Sequence, residues 1–142
     1  MPGPIFEQRL LRTRKAIAIG LCAFVAGAFA ANASAAPTAF VASLNTLSVT
    51  PIDVATNTAG GPIDVGAGSS GIAITPNGAT AYVANGSLDA VTPIDLATNV
   101  AGTAIPVGDG PNSIAITPDG ATAYVTEALD DTVSPIDVAT NT

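Results

Sequence analysis

One stretch dominates the chain because it comes back twice. Pro51-Ile52-Asp53-Val54-Ala55-Thr56-Asn57 returns as Pro93-Ile94-Asp95-Leu96-Ala97-Thr98-Asn99 and again as Pro135-Ile136-Asp137-Val138-Ala139-Thr140-Asn141, at a step of 42 residues. A second block, Ala73-Ile74-Thr75-Pro76-Asn77-Gly78-Ala79-Thr80-Ala81-Tyr82-Val83, recurs at the same step as Ala115 to Val125. A fixed period of this length, with short apolar runs and turn residues, marks an array of small structural units. Each unit hides its apolar surface against its neighbours rather than in a core of its own.

Within the period no helical spacing is present, and four strand-like runs alternate with turns. In the middle repeat these are Ile72–Thr75, Thr80–Ala84, Ala90–Leu96 and Thr103–Val107. Pro76-Asn77-Gly78 carries hairpin chemistry, with proline pre-set for the turn and glycine free to take positive φ. Pro93 and Pro106 lack a ladder donor, so they are expected at an edge or an irregularity. The first two runs are apolar on both faces, which suits a sheet covered on both sides. Four-stranded antiparallel sheets stacked at this period predict an all-β chain of β-propeller blades. Beyond position 36 the aromatics are Phe40, Tyr82 and Tyr124, again 42 apart. Such a column of rings is expected to pack blade on blade. Three, four and three strands make about two and a half blades, where closed propellers have roughly 4–8. A longer array, or copies completing a ring through open blade edges, would supply the remainder.

Tyr82-Val83-Ala84-Asn85 and Tyr124-Val125-Thr126-Glu127 each follow a Thr-Pro-(Asn/Asp)-Gly turn and precede a Pro-Ile-Asp-x-Ala-Thr-Asn block. In that order and spacing they resemble the YVTN family of β-propeller repeats, also called YncE-like, over about residues 38–142. Phe40-Val41-Ala42-Ser43 is a weaker copy. Ser43 and Glu127 depart from the motif asparagine, and proline stands before Ile-Asp where the family often has an aliphatic residue. The resemblance implies a secreted or cell-surface propeller. It also implies links to surface layers or DNA in some relatives.

Charge bears on those partners. Arg9, Arg12, Arg14 and Lys15 are the only basic residues, while ten of the eleven acids lie from Asp53 onward. That surface has no cation to replace phosphate counterions, which disfavours nucleic acid. The basic start, the apolar run Ala16–Ala31 and Ala33-Ser34-Ala35 read as a secretory signal peptide over 1–35, cut before Ala36 and helical in its apolar part. The run is short for a spanning helix, with an uncleaved anchor as the alternative. Residues 36–142 then form the repeat domain, with no membrane span, placed in the periplasm, on the cell surface or outside the cell. Cys22 lies within the leader, so the repeats carry no thiol.

Chemistry is sparse. Gly66-Ala67-Gly68-Ser69-Ser70-Gly71 has the spacing of a nucleotide-binding loop, but a strand follows it where that loop needs a helix. With no histidine in the chain and no lysine or cysteine in the repeats, triads, imidazole metal sites and Schiff bases are ruled out within it. Carboxylates remain. Asp89, Asp109, Glu127, Asp130 and Asp131 fall in loops that a propeller gathers on one face, where they could meet a cation or polar ligand. Asp53, Asp95 and Asp137 precede turns and are expected to cap them as Asx turns. Asn85-Gly86-Ser87 matches a glycosylation triplet and doubles as a turn. The expected function is a non-enzymatic exported scaffold that binds a protein or polar ligand and needs no cofactor. The alternatives are part of a propeller enzyme whose carboxylate or metal site is completed by further blades, and nucleic-acid binding, which the charge disfavours.

Overall fold

The computed structural model describes residues 18–21, 23–28 and 38–142. Three antiparallel sheets follow one another along the chain. The first holds β1 (Ala18–Leu21), β2 (Ala23–Ala28), β3 (Thr38–Ser43), β4 (Ser48–Asp53), β5 (Thr58–Ala59) and β6 (Ile63–Asp64). The second holds β7 (Ser69–Ile74), β8 (Thr80–Asn85), β9 (Ala90–Asp95), β10 (Val100–Ala101) and β11 (Ile105–Pro106). The third holds β12 (Pro111–Ile116), β13 (Thr122–Glu127) and β14 (Thr132–Asp137). The inner strands β2, β7 and β12 lie side by side. The chain is therefore an all-β array of β-propeller blades, as the period predicts.

The turn chemistry acts as the sequence implies. Gly78 and Gly120 take φ of 72° and 73°. Asn77 Oδ1 accepts from the Ala79 N–H at 3.0 Å, and Asp119 Oδ1 does the same for Ala121. Asp53, Asp95 and Asp137 each accept two backbone N–H groups, two and three residues on, at 2.8–2.9 Å.

Two expectations are corrected. The fourth strand expected over Thr103–Val107 is only the two-residue β11, and a second short piece, β10, pairs with β9 ahead of it; Pro93 lies opposite the break between them. Antiparallel residues point N–H and C=O to the same side. The Pro93 carbonyl accepts from Gly102 at 2.7 Å on the outer side, so the missing N–H faces outward too, and the outer strand loses its ladder there. Pro51 and Gly60 repeat the arrangement one blade earlier, at 2.8 Å. The second correction concerns the leader. No helix occurs among the described residues; Ala18–Leu21 and Ala23–Ala28 are strands, and β2 pairs with β3 at Val25↔Val41 and Ala26↔Phe40. The free edge of β3 offers unpaired backbone groups, and the apolar run satisfies them in the position that β7 holds beside β8. The rest of residues 1–35, with the Ala33-Ser34-Ala35 site expected to be cut, lies outside the described residues. No helix of the described residues is long and apolar enough to cross a membrane.

The core lies between sheets. Phe40, Ala42, Val49, Ile63 and Val65 pack on Ile72, Ala81, Val83 and Ile94. Tyr82, Val91 and Ile105 pack on Ala123, Val125 and Ile136. Phe40 and Tyr82 are buried, whereas Tyr124 is 47% exposed. The aromatic column is thus a packing column, with its third member uncovered.

Candidate functional site

Each β8–β9 and β13–β14 hairpin loop closes over the connector that enters its own blade, so both kinds of loop share one face. Gly66 and Gly68 (φ 91° and 78°) run beneath Leu88 and Ser87; a Cβ at either glycine would fall 2.5 Å from those side chains. Gly110 (φ 67°) runs beneath Leu129 in the same way. This is the role of the Gly66–Gly71 stretch: Gly66 to Gly68 cross between blades, and Ser69 to Gly71 open strand β7.

Around the second connector the structure brings together Asp89, Asp109 and Asp130. Asp130 Oδ2 accepts from the Asp109 N–H at 2.8 Å. Asp89 Oδ1 accepts from the Gly110 N–H at 2.9 Å. The carboxylates of Asp130 and then Asp89 hold the Asp109 carboxyl above its ordinary range, because like charges disfavour ionisation. Asp131 takes left-handed φ of 56° at the turn tip, one repeat after Asp89 at 48°. Among the described residues these carboxylates and the other acids form no group of three or more placed to hold one metal ion.

Glu127, expected among the exposed acids of this face, is instead buried at 2% exposure. Its Oε1 accepts from the Gly108 N–H at 2.9 Å, and its Oε2 accepts from the Thr132 hydroxyl. Burial pushes this carboxyl up, but bonds from Ser134, Thr132 and the Gly108 N–H together outweigh it and hold it below the usual range. The cause of the misplacement is alternation. Glu127 ends β13 on the same face as Ala123 and Val125, which is the covered one.

Asn85 holds the same position one repeat earlier, with 0% exposure. Its Nδ2 donates to the Val65 carbonyl at 2.9 Å and to Thr92 Oγ1 at 2.7 Å, and its Oδ1 accepts from Ser69 Oγ at 3.2 Å. Asparagine therefore meets a connector carbonyl and glutamate meets a connector N–H. Such burial leaves the Asn85 side chain no access as a glycosylation acceptor in this fold. A further pairing was not readable in the chain: Tyr82 Oη donates to Asn141 Oδ1 of the next blade at 2.7 Å. The recurrence of tyrosine and asparagine at one step is its only sequence signal.

Open crevices lie where blades meet. One of about 530 Å³ is lined by Thr75, Asn77, Thr80 and Asp119. Two others, of about 410 and 360 Å³, are the same groove one repeat apart, each with Pro, Asp, Thr and Gly of one blade and the turn asparagine of the next, Asn99 or Asn141.

No family model and no curated protein matches the chain. Among solved structures the chain is similar to Kuenenia stuttgartiensis hydrazine synthase, at 34% identity and a TM-score of 0.71, over 73% of this chain and 30% of that one. The chain thus spans under a third of that neighbour's length. The likeness agrees with three consecutive antiparallel blades of a β-propeller.

Proposed function

We propose that this is an exported, non-enzymatic propeller of the YVTN repeat type that serves as a binding or cell-surface scaffold for a protein or polar ligand. The observation that carries it is how the carboxylates are used. Of the ten acids beyond position 36, Asp53, Asp64, Asp89, Asp95, Asp119, Glu127, Asp130 and Asp137 each accept a backbone N–H of their own chain. They shape turns and connectors, and only Asp109 and Asp131 have no such bond among those described. Acids engaged in this way keep the loops at both ends of the strands in register, as a recognition surface on either end needs.

The alternative reading is that the blades form part of a propeller enzyme, and the likeness to a protein named as a synthase favours it. Calorimetric titration with Ca²⁺ or Mg²⁺ separates the two. The scaffold reading expects no saturable heat; a stoichiometric isotherm abolished by Asp109→Asn would overturn it in favour of a carboxylate site. Export has its own test. The chain expressed from Met1 in a bacterial host should be recovered outside the cytoplasm with Ala36 as its first residue, a cut that removes β1 and β2 and frees the β3 edge they cover in the full chain. A cytoplasmic, full-length product would refute export. A band-shift assay at low salt should show no complex with DNA, because the repeat surface carries acids and no cations.

A further inference from the structure

The two connectors between sheets match on either side of one peptide. The Val65 N–H donates to the Leu47 carbonyl, and one repeat on the Val107 N–H donates to the Asp89 carbonyl, both at 3.0 Å. Further along, Gly68 and Gly110 share left-handed φ (78° and 67°), and their carbonyls accept from Gly86 and Ala128 at 2.9 and 3.0 Å. Between these fixed points lie the Val65–Gly66 and Val107–Gly108 peptides. The first turns its carbonyl inward, to Asn85 Nδ2 at 2.9 Å and Thr92 Oγ1 at 3.1 Å, and its N–H away, to Asp64 Oδ1 at 3.1 Å. The second turns its N–H inward, to Glu127 Oε1 at 2.9 Å. Gly66 is left-handed at 91°, whereas Gly108 lies outside that region. The two peptides are therefore related by a flip, and glycine at the hinge admits either sign of φ.

The buried side chain beneath each peptide sets its orientation. Asn85 has donors for a carbonyl. An ionised carboxylate only accepts, so Glu127 holds an N–H; once protonated it gains an O–H donor. A flip would bring the Val107 carbonyl to that donor, as the Val65 carbonyl is brought to Asn85. The surroundings favour the charged state at neutral pH. Thr132, which donates to Glu127 Oε2, stands where the preceding repeat has Ala90. Pro106 stands where that repeat has Asp64, so a flipped Gly108 N–H would find solvent instead of a carboxylate. The other charged groups around the connector are acids: Asp109 on it, Asp130 and Asp131 in the β13–β14 loop, and Asp89 in the β8–β9 loop. A Cβ built at Gly108 would lie 2.8 Å from Glu127 Oε2 and 2.9 Å from Asp130 Oδ2. No basic side chain occurs beyond position 36, so no cation keeps Glu127 ionised as pH falls.

We propose that the Val107–Gly108 peptide is a pH-operated two-state element, N–H inward on ionised Glu127 and carbonyl inward on protonated Glu127, the second state being the one Asn85 holds at every pH one repeat earlier. The two repeats display both states of the bistable element that a protonation switch needs. Glu127 is held below the usual carboxyl range. The N–H-inward state therefore prevails at neutral pH and is lost as pH falls through that lowered value.

NMR on the full chain tests this, with residual dipolar couplings reporting the direction of each backbone N–H from neutral pH downward. The Gly108 N–H should reorient at the midpoint at which the Glu127 carboxyl titrates, while the Gly66 N–H keeps its direction. Glu127→Gln should show no reorientation at Gly108 at any pH. Thr132→Ala should move the midpoint up by about one pH unit, because the charged form loses a hydrogen bond. Titration of Glu127 without reorientation of Gly108 would overturn the proposal. So would the same reorientation in Glu127→Gln, or a Gly66 N–H that turns in step. Loss of the native spectrum before Glu127 titrates, in the parent and in Thr132→Ala alike, would overturn it too, since the element needs a folded chain on both sides of the transition.

Discussion

At the scale of single residues, recurrence exposes the positions that break the rule. Each repeat has two left-handed residues other than glycine, and at the first of them Asp89 and Asp131 are matched by Leu47, with φ of 58°. Left-handed backbone is tolerated by Asp and Asn but costs a larger residue about 1–2 kcal/mol. Leu47 is 49% exposed, so little burial is lost by replacing it. Leu47→Asn should raise stability by about 0.5–1 kcal/mol, read from the urea midpoint at constant slope. Asn85 and Glu127 show the opposite case, in which a departure from the repeat is matched by its surroundings. Glu127→Ala should cost about 1–3 kcal/mol, because it strips the half-buried Gly108 N–H of its partner and empties the buried Glu127 position. Glu127→Asn, although it restores the repeat motif, should not recover that loss, since the shorter side chain loses reach to Gly108 and the charge. Asn85→Asp should also destabilise, by placing a carboxylate oxygen against the Val65 carbonyl.

At the scale of elements, the blades depend on close approach of inner strands and on a tolerated break in outer ones. A Cβ at Gly71 in β7 would lie 2.7 Å from the Asn112 carbonyl oxygen and 3.0 Å from Ser113 Cα of β12. Both are backbone atoms and cannot swing aside. Gly71→Ala should therefore cost about 1–3 kcal/mol through overpacking, measured as a lower urea midpoint. It should also weaken the Ser70 Oγ bond to the Pro111 carbonyl, now 3.1 Å. The prolines of the third strands tell the converse story. They were legible as edge or irregular positions, but that Pro51 and Pro93 would each break the outer strand into two short pieces depends on which way their carbonyls point. That direction is set by register, which one-dimensional pattern does not contain.

At the scale of the whole molecule, the surface acids govern the response to pH. The turns hold Asp53, Asp95, Asp119 and Asp137 below their ordinary carboxyl value, mainly through bonds from backbone N–H groups or, for Asp119, from the Thr117 hydroxyl. Glu127 is depressed too. A group depressed by folding contributes stability above its unfolded value and loses it as pH falls through the folded one. Asp109 is raised, so its ionisation opposes folding at neutral pH and that opposition is relieved as pH falls through its raised value. The depressed groups outnumber it. The urea midpoint should stay nearly level from neutrality to about pH 5 and decline below about pH 4. Asp109→Asn should raise the midpoint at neutral pH and leave the acid decline in place.

The chain by itself determined the period, the strand-and-turn order, the hairpin glycines and the Asx caps at Asp53, Asp95 and Asp137. Those are local matters, fixed by backbone preference and by side chains that reach only two or three residues along. It also placed the loops of Asp89, Asp109 and Asp130 on one face, since a blade's geometry follows from its repeat. Only the tertiary structure decided that Glu127 turns inward while its loop neighbours stay wet, that Tyr82 reaches Asn141 across a blade boundary, and that part of the apolar N-terminal run pairs with β3. Each of these rests on what lies opposite in space, and burial and hydrogen-bond satisfaction are settled by that neighbour rather than by the residue alone.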